Sequence, residues 1–191
     1  QIMNASATVL AKQPAATAEA SVARRSAQPL PSPAVLRQRL PLSDALAARI
    51  RNDRDAIRAV LDGHDPRLLV VVGPCSLHDP VAALEYAERL AALVHEVSDQ
   101  LLLVMRTYVE KPRTTVGWKG LVYDPHLDGS GNMAEGLHLS RRLMLDILET
   151  GLPIASELLQ PLAAGYFDDL LGWAAIGART SESQIHRELV S

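Results

Sequence analysis

The chain has one cysteine, Cys75, in 191 residues. A single thiol excludes an internal disulfide and suits a reducing, cytoplasmic compartment. Positive charge is not in excess: 19 Lys and Arg stand against 22 Asp and Glu, a formal net charge of −3. Without a global positive field a nucleic-acid partner is disfavoured, and any anion site must be a local concentration of cations. Long apolar runs are missing too. Stretches such as Leu101 to Met105 are far too short to span a bilayer, so no membrane partner is expected. Neither GxGxxG nor GxxxxGK[ST] follows the first apolar run, which removes the common nucleotide-binding fingerprints. The amino-terminal region lacks the apolar core of a secretory signal. What is present is 48% hydrophobic and 21% charged, ordinary for a globular domain with a real core.

Residues 1–33 are rich in Ala, Ser and Pro without sustained periodicity and read as a disordered tail. Residues 34–66 form a helical extension. Leu46, Ile50, Ile57, Val60 and Leu61 recur at helical spacing, Ser43 and Asp44 offer a start, and Gly63 offers an end. From residue 67 the pattern alternates. Leu68 to Val72 is a continuous, β-branched run stopped by Gly73-Pro74, as expected of a strand buried on both faces. Asp79-Pro80 opens a helix to about Val97, and Leu101 to Met105 is a second strand. A helix over Ala134 to Glu149 follows, then a strand over Pro153 to Ser156. Next come a helix over Pro161 to Leu171 and a strand over Trp173 to Ala178. Another helix starts near Ser181. The chain opens on Gln with a Met at position 3 and breaks off in that last helix, so it reads as a fragment.

The stretch from Arg106 to Gly120, RTYVEKPRTTVGWKG, is the chemical centre of the chain. Arg106, Lys111, Arg113 and Lys119 supply cations, and paired threonines supply hydroxyl donors. Pro112 sets a turn and Gly117 permits close backbone approach. Such a loop suits a phosphorylated or carboxylated small molecule, although composition alone equally allows a solvated basic loop.

Two-sided apolar strands alternating with helices imply a parallel sheet, either doubly wound or a (β/α)₈ barrel. The strand ends favour the barrel. Cys75 follows the first strand, Arg106 ends the second, Glu157 the third and Arg179 the fourth. In a barrel these carboxyl ends surround one mouth, where active sites lie. Residues 67–191 then make up the first half of a TIM barrel, about four β/α units.

Three stretches carry a resemblance to a known family: LLVVVGPCSLHDP at Leu68 to Pro80, VMRTYVEKPRTTVGWKGL at Val104 to Leu121, and GWAAIGARTSESQIHREL at Gly172 to Leu189. The chain resembles 3-deoxy-D-arabino-heptulosonate 7-phosphate (DAHP) synthases of the microbial type regulated by aromatic amino acids. The resemblance implies condensation of phosphoenolpyruvate with erythrose 4-phosphate, the first step of the shikimate pathway. It also implies a (β/α)₈ barrel with an N-terminal extension, a divalent metal of the Mn, Fe, Co or Zn type, and a homo-oligomer, dimer or tetramer.

Residue by residue, the resemblance makes Cys75 a metal ligand. Arg106, Lys111, Glu157 and Arg179 would hold phosphoenolpyruvate, with Lys111 and Glu157 as catalytic groups. Lys111, Pro112, Arg113 and Thr114 would hold erythrose 4-phosphate. Each role has a plainer alternative in the residues themselves: a small buried cysteine, surface ion pairs, or turn chemistry at Thr114. Trp118 reads as packing, and neither His78 nor His126 is assigned a ligand role. The family's remaining metal ligands come from later strands, so these 191 residues alone are expected to be inactive. Two competing readings are a synthase that condenses phosphoenolpyruvate with another sugar and a non-catalytic half barrel that binds phosphate esters or regulates.

Overall fold

The computed structural model describes residues 29–113 and 117–177, together with Ser183, Ile185 and Glu188. Residues 1–28 of the expected tail over 1–33, Thr114, Ala178, Arg179 and the helix start at Ser181 lie outside the described residues, while Pro33 of that tail already begins a helix.

Four strands pair in parallel and in chain order, and they form a curled half-barrel. They are β1 (Leu68–Val72), β2 (Leu101–Arg106), β3 (Ile154–Leu158) and β4 (Trp173–Ile176). A doubly wound sheet reverses direction at a switch point; sequential order β1-β2-β3-β4 does not, which decides between the two architectures. The connecting helices are α3 (Pro80–Val97), α4 (Met133–Glu149) and α5 (Pro161–Phe167), preceded by α1 (Pro33–Arg39) and α2 (Asp44–Leu61).

Local chemistry accounts for the helix starts. Ser43 accepts from the Leu46 N–H at 3.2 Å, and Asp79 accepts from the Val81 N–H at 2.9 Å. Both satisfy amides that a first helical turn leaves unpaired. Pro80 and Pro161 occupy the first turns of α3 and α5, where a missing N–H costs nothing. Gly151 adopts φ +100 just after α4, which ends that helix in the left-handed region.

The sheet has two unlike faces. Val70, Val72, Leu103, Met105, Ile154 and Leu158 belong to the main core with Leu137, Met144, Ile147 and Leu148 of α4. Each fully buried aliphatic side chain there contributes about 1.5–3 kcal/mol. The opposite face carries Leu69, Val71, Leu102, Val104 and Ala155, and Ile57 of α2 packs against it. By the alternation of side chains along a strand, Arg106 and Glu157 belong to this second face.

The N-terminal helices are fastened to the underside of this layer. Leu36 and Leu40 are buried, the Tyr166 hydroxyl donates to the Pro31 carbonyl at 2.7 Å, and Arg54 donates to the Leu171 carbonyl at 2.8 Å. Arg141 of α4 is fully buried. It donates to the Leu40 and Tyr166 carbonyls at 3.0 and 2.9 Å and pairs bidentately with Asp169 at 2.7 and 2.8 Å.

Several boundaries differ from expectation, among them the end of β4 at Ile176 rather than Ala178. The helical extension is two helices, because Pro41 cannot donate within a helix and biases Leu40 out of helical geometry. Helix α5 ends at Phe167 rather than Leu171; the buried Leu170 and Leu171 lie in the turn that follows it. Strand β3 extends to Leu158, so Glu157 lies within the strand and pairs in register with Ala175. Among the described residues, no helix is long and apolar enough to cross a membrane.

Candidate anion-binding site at the strand ends

Gly73 follows β1 and aligns with the last residue of β2. A Cβ at Gly73 would lie 2.8 Å from the Arg106 carbonyl oxygen, so only glycine allows the two strand ends to approach this closely. Thr107 and Ser156 lock the other side. The Thr107 amide and hydroxyl both donate to the Ala155 carbonyl, at 2.8 and 3.1 Å, and the Ser156 hydroxyl donates to the Thr107 carbonyl at 2.9 Å. The turn carrying Cys75 is held to the loop after β2, where the Leu77 amide donates to the Tyr108 carbonyl at 2.9 Å.

Three of the residues singled out in the sequence converge here. Lys111 Nζ lies 2.8 Å from both the carbonyl oxygen and Sγ of Cys75, and Arg106 Nη2 donates to the same carbonyl at 3.2 Å. Cys75 is exposed rather than buried as an apolar residue. The hydrogen bond from Lys111, and then its charge, hold the thiol below the usual cysteine range; Arg106 and Arg113 add smaller pulls in the same direction. The Arg106 guanidinium stacks 3.7 Å above the Tyr108 ring, and its Nε is buried without a hydrogen-bond partner among the described residues. Burial pushes the Tyr108 hydroxyl up. The charge of Arg106 opposes that rise and the charge of Glu157 adds to it.

Arg113 is exposed and donates to the Pro112 carbonyl at 3.3 Å. Gly117, with φ +110, lets the Arg113 side chain lie across it; a Cβ there would come within 3.0 Å of Nε. Thr114 and Arg179 are outside the described residues. Trp118 packs against the core and donates to the Asp124 carbonyl at 2.8 Å. His126 Nε2 lies 3.0 Å from Glu135 Oε1, which raises its pKa, and His78 meets Trp118 edge to face. Among the described residues no group of three His, Cys, Asp or Glu side chains is placed to hold a metal ion. Cys75 offers one donor of the right chemical form, not a coordination set.

Sequence reasoning missed two residues. Tyr108 forms the floor under Arg106, which its place two residues past a strand-end arginine could have suggested. Glu110 is only 5% exposed despite sitting in a charged loop. A groove of about 490 Å³ between α3 and α4, lined by Val81, Leu84 and Leu143, is remote from these residues and lies on the outer helical layer.

A sequentially wound parallel half-barrel with cations and a cysteine at its strand ends defines an α/β-barrel protein with a candidate site at the mouth. Residues 44–191 match the DAHP synthetase I family, and the chain belongs to that family. It is 56% identical over 164 residues to the Tyr-sensitive phospho-2-dehydro-3-deoxyheptonate aldolase of Escherichia coli K12, covering 86% of this chain and 46% of that protein. The Phe-sensitive aldolase of the same organism is 55% identical over 159 residues, covering 83% and 45% respectively. The aldolase of Amycolatopsis methanolica is 52% identical over 160 residues, covering 84% of this chain and 79% of that protein. In three dimensions, the chain matches the phospho-2-dehydro-3-deoxyheptonate aldolase structure from Francisella tularensis SCHU S4 with a TM-score of 0.82 at 47% identity. That match covers 86% of this chain and 48% of the other. The chain spans about half the length of the Escherichia coli relatives. Members of the family are generally metal-dependent.

Proposed function

We propose that this chain supplies part of the active site of a DAHP synthase, which condenses phosphoenolpyruvate with erythrose 4-phosphate at the head of aromatic amino acid biosynthesis. The observation that carries the reading is the convergence of Arg106, Lys111 and the Cys75 thiol at the carboxyl ends of adjacent strands in a chain of this family.

Two anionic substrates repel one another, so the largest task is to hold both. Arg106, braced on Tyr108, pairs with the carboxylate or phosphate of phosphoenolpyruvate, and Arg179 contributes a second guanidinium. Arg113 and Thr114, placed by Pro112, hold the phosphate of erythrose 4-phosphate. The methylene carbon of phosphoenolpyruvate forms a bond to the aldehyde carbon, and Lys111 gives the proton that the aldehyde oxygen takes up. Water adds at the enol carbon with Glu157 taking its proton. The bond from that carbon to the phosphate oxygen then breaks, releasing inorganic phosphate.

Cys75 serves as one ligand of the family's divalent ion, of the Mn, Fe, Co or Zn type, which when bound polarises the aldehyde oxygen. Among the described residues Cys75 is one donor and not a coordination set, so turnover is expected of the product of the full reading frame and not of these 191 residues alone. Leu68 and Trp173, exposed on the two outermost strands, support association with further barrel surface, and the working form is a cytoplasmic homo-oligomer.

The test uses the product of the full reading frame with a divalent metal. Phosphoenolpyruvate and erythrose 4-phosphate should be consumed together with stoichiometric phosphate release. Binding of phosphoenolpyruvate without turnover would point instead to a non-catalytic phosphate-ester binder. Preference for a different aldose would point to another condensing synthase.

A further inference from the structure

The loop between β2 and α4 is closed at its neck. The Lys111 amide donates to the Lys119 carbonyl at 2.9 Å, and the Val122 amide donates to the Val109 carbonyl at 3.2 Å. Gly120, with φ +110, presses against this neck; a Cβ there would sit 2.3 Å from the Val109 carbonyl oxygen and 2.7 Å from the Glu110 Cα. The carboxyl group of Glu110 lies inside the neck. Its Oε1 accepts from the Tyr123 hydroxyl at 2.9 Å, on the returning limb of the loop. Its Oε2 accepts from the Leu159 amide at 3.4 Å, in the turn that leaves β3. No cation pairs with it among the described residues, and burial pushes its pKa up. A surface glutamate would have no reason to accept that cost of desolvation.

The connectivity gives the cost a purpose. Glu110 precedes Lys111 directly, and Leu159 lies two residues beyond Glu157. One buried carboxyl group therefore ties the limb that carries the loop lysine to the strand end that carries the carboxylate.

We propose that Glu110 is a positioning residue: it fixes the loop bearing Lys111 against the β3–α5 turn, and so sets Lys111 and Glu157 relative to one another. The proposal rests on the synthase reading for its effect on rate, but its structural half stands on the geometry alone. Glu110→Gln is the diagnostic change. It keeps the volume and the Oε1 acceptor for Tyr123, and it turns an amide donor toward the Leu159 N–H. The catalytic side chains themselves are unaltered, so a displacement near 1 Å is the expected disturbance, and that costs roughly 100-fold in rate.

Two measurements on the product of the full reading frame decide the matter. In hydrogen exchange, Glu110→Gln should speed exchange in segments 111–122 and 158–161 while α4 stays protected. In steady-state kinetics, kcat should fall roughly 10- to 100-fold, with the KM for phosphoenolpyruvate changed less than about threefold. Tyr123→Phe, which removes only the loop-side bond, should show a smaller drop and faster exchange in 111–122 alone.

Unchanged exchange in both segments would overturn the proposal. So would a loss of protection spread evenly over the chain, which marks a merely structural residue, or local loosening with kcat intact. If the parent protein fails to turn over the two substrates, the synthase reading falls, and the exchange data still decide whether Glu110 joins loop and turn.

Discussion

Two arginines on neighbouring parts of the same fold show the difference between a residue that holds the protein together and one that is free to act. Arg141 is fully buried, and its guanidinium is matched by two carbonyls and a bidentate carboxylate. Arg106 sits at a strand end, stacked on Tyr108, and donates to the Cys75 carbonyl, while its Nε is buried without a partner among the described residues. Both pack against apolar surface, and both carry the same charge. What separates them is hydrogen-bond capacity: the fold consumes that of Arg141 and leaves part of that of Arg106 over. A desolvated donor without a partner costs free energy, and such a cost is commonly retained where a ligand repays it.

The comparison predicts opposite outcomes for equivalent truncations. Arg141→Met should destabilise the fold by about 3 kcal/mol, because it removes the bidentate partner of Asp169, leaving only Arg37 at 3.9 Å among the described residues, and leaves the Leu40 and Tyr166 carbonyls without this donor. Chemical denaturation should register it as a lower midpoint, with the N-terminal helices exchanging first. Arg106→Ala should leave the midpoint within about 1 kcal/mol of the parent yet lower kcat/KM for phosphoenolpyruvate by about 10²–10³-fold. An Arg106→Ala protein with unchanged phosphoenolpyruvate kinetics would remove Arg106 from the site and with it the contrast.

A smaller effect should appear at Cys75. Lys111 favours the thiolate, so the alkylation rate of this cysteine against pH should have its midpoint below that of an ordinary thiol. Removing the cation in Lys111→Met raises the midpoint, and at neutral pH less thiolate is present. Iodoacetamide labelling of the Cys75 peptide should then slow by about tenfold for each unit of upward shift. Equal labelling profiles in the two metal-free proteins would place Lys111 away from the sulfur.

Much of this contrast could be read from the sequence, for definite reasons. The run Leu68 to Val72 is a strand as its β-branched residues suggest, and Gly73-Pro74 fixes where it stops; the expected burial on both faces is not met, because β1 is an outermost strand with Leu68 exposed and Leu69 to Val72 half-buried. Once the strands are placed, their alternation puts Arg106 and Glu157 on one face. The pattern fails where periodicity and burial part company. Leu170 and Leu171 carry the apolar spacing of a longer α5, yet they are buried beyond its end, next to a Gly172 whose added Cβ would lie 3.3 Å from Ile57 Cδ1. Pro41 should have divided the extension into two helices on the strength of proline chemistry alone. Glu110 could not have been identified: a glutamate between Val109 and Lys111 looks solvated, and only the closure of the loop onto the β3–α5 turn buries it.

The smallest predicted effect bears on how the Cys75 turn is held. Asp79 Oδ1 accepts from the Val81 and Ala82 amides at 2.9 and 3.2 Å, and so begins α3 four residues after the thiol. Ser43 does the same for α2, far from the strand ends, accepting from the Leu46 amide at 3.2 Å. Replacing either cap with alanine should cost about 1 kcal/mol. If both caps serve only their helices, the two variants should be alike in every respect. If the Asp79 cap also fixes the turn that presents Cys75, its loss should change the labelling rate of that thiol while Ser43→Ala leaves it untouched. Matched stability losses with unmatched thiol reactivity would extend the lesson of the two arginines to a capping residue. Matched reactivity would confine Asp79 to the helix it begins.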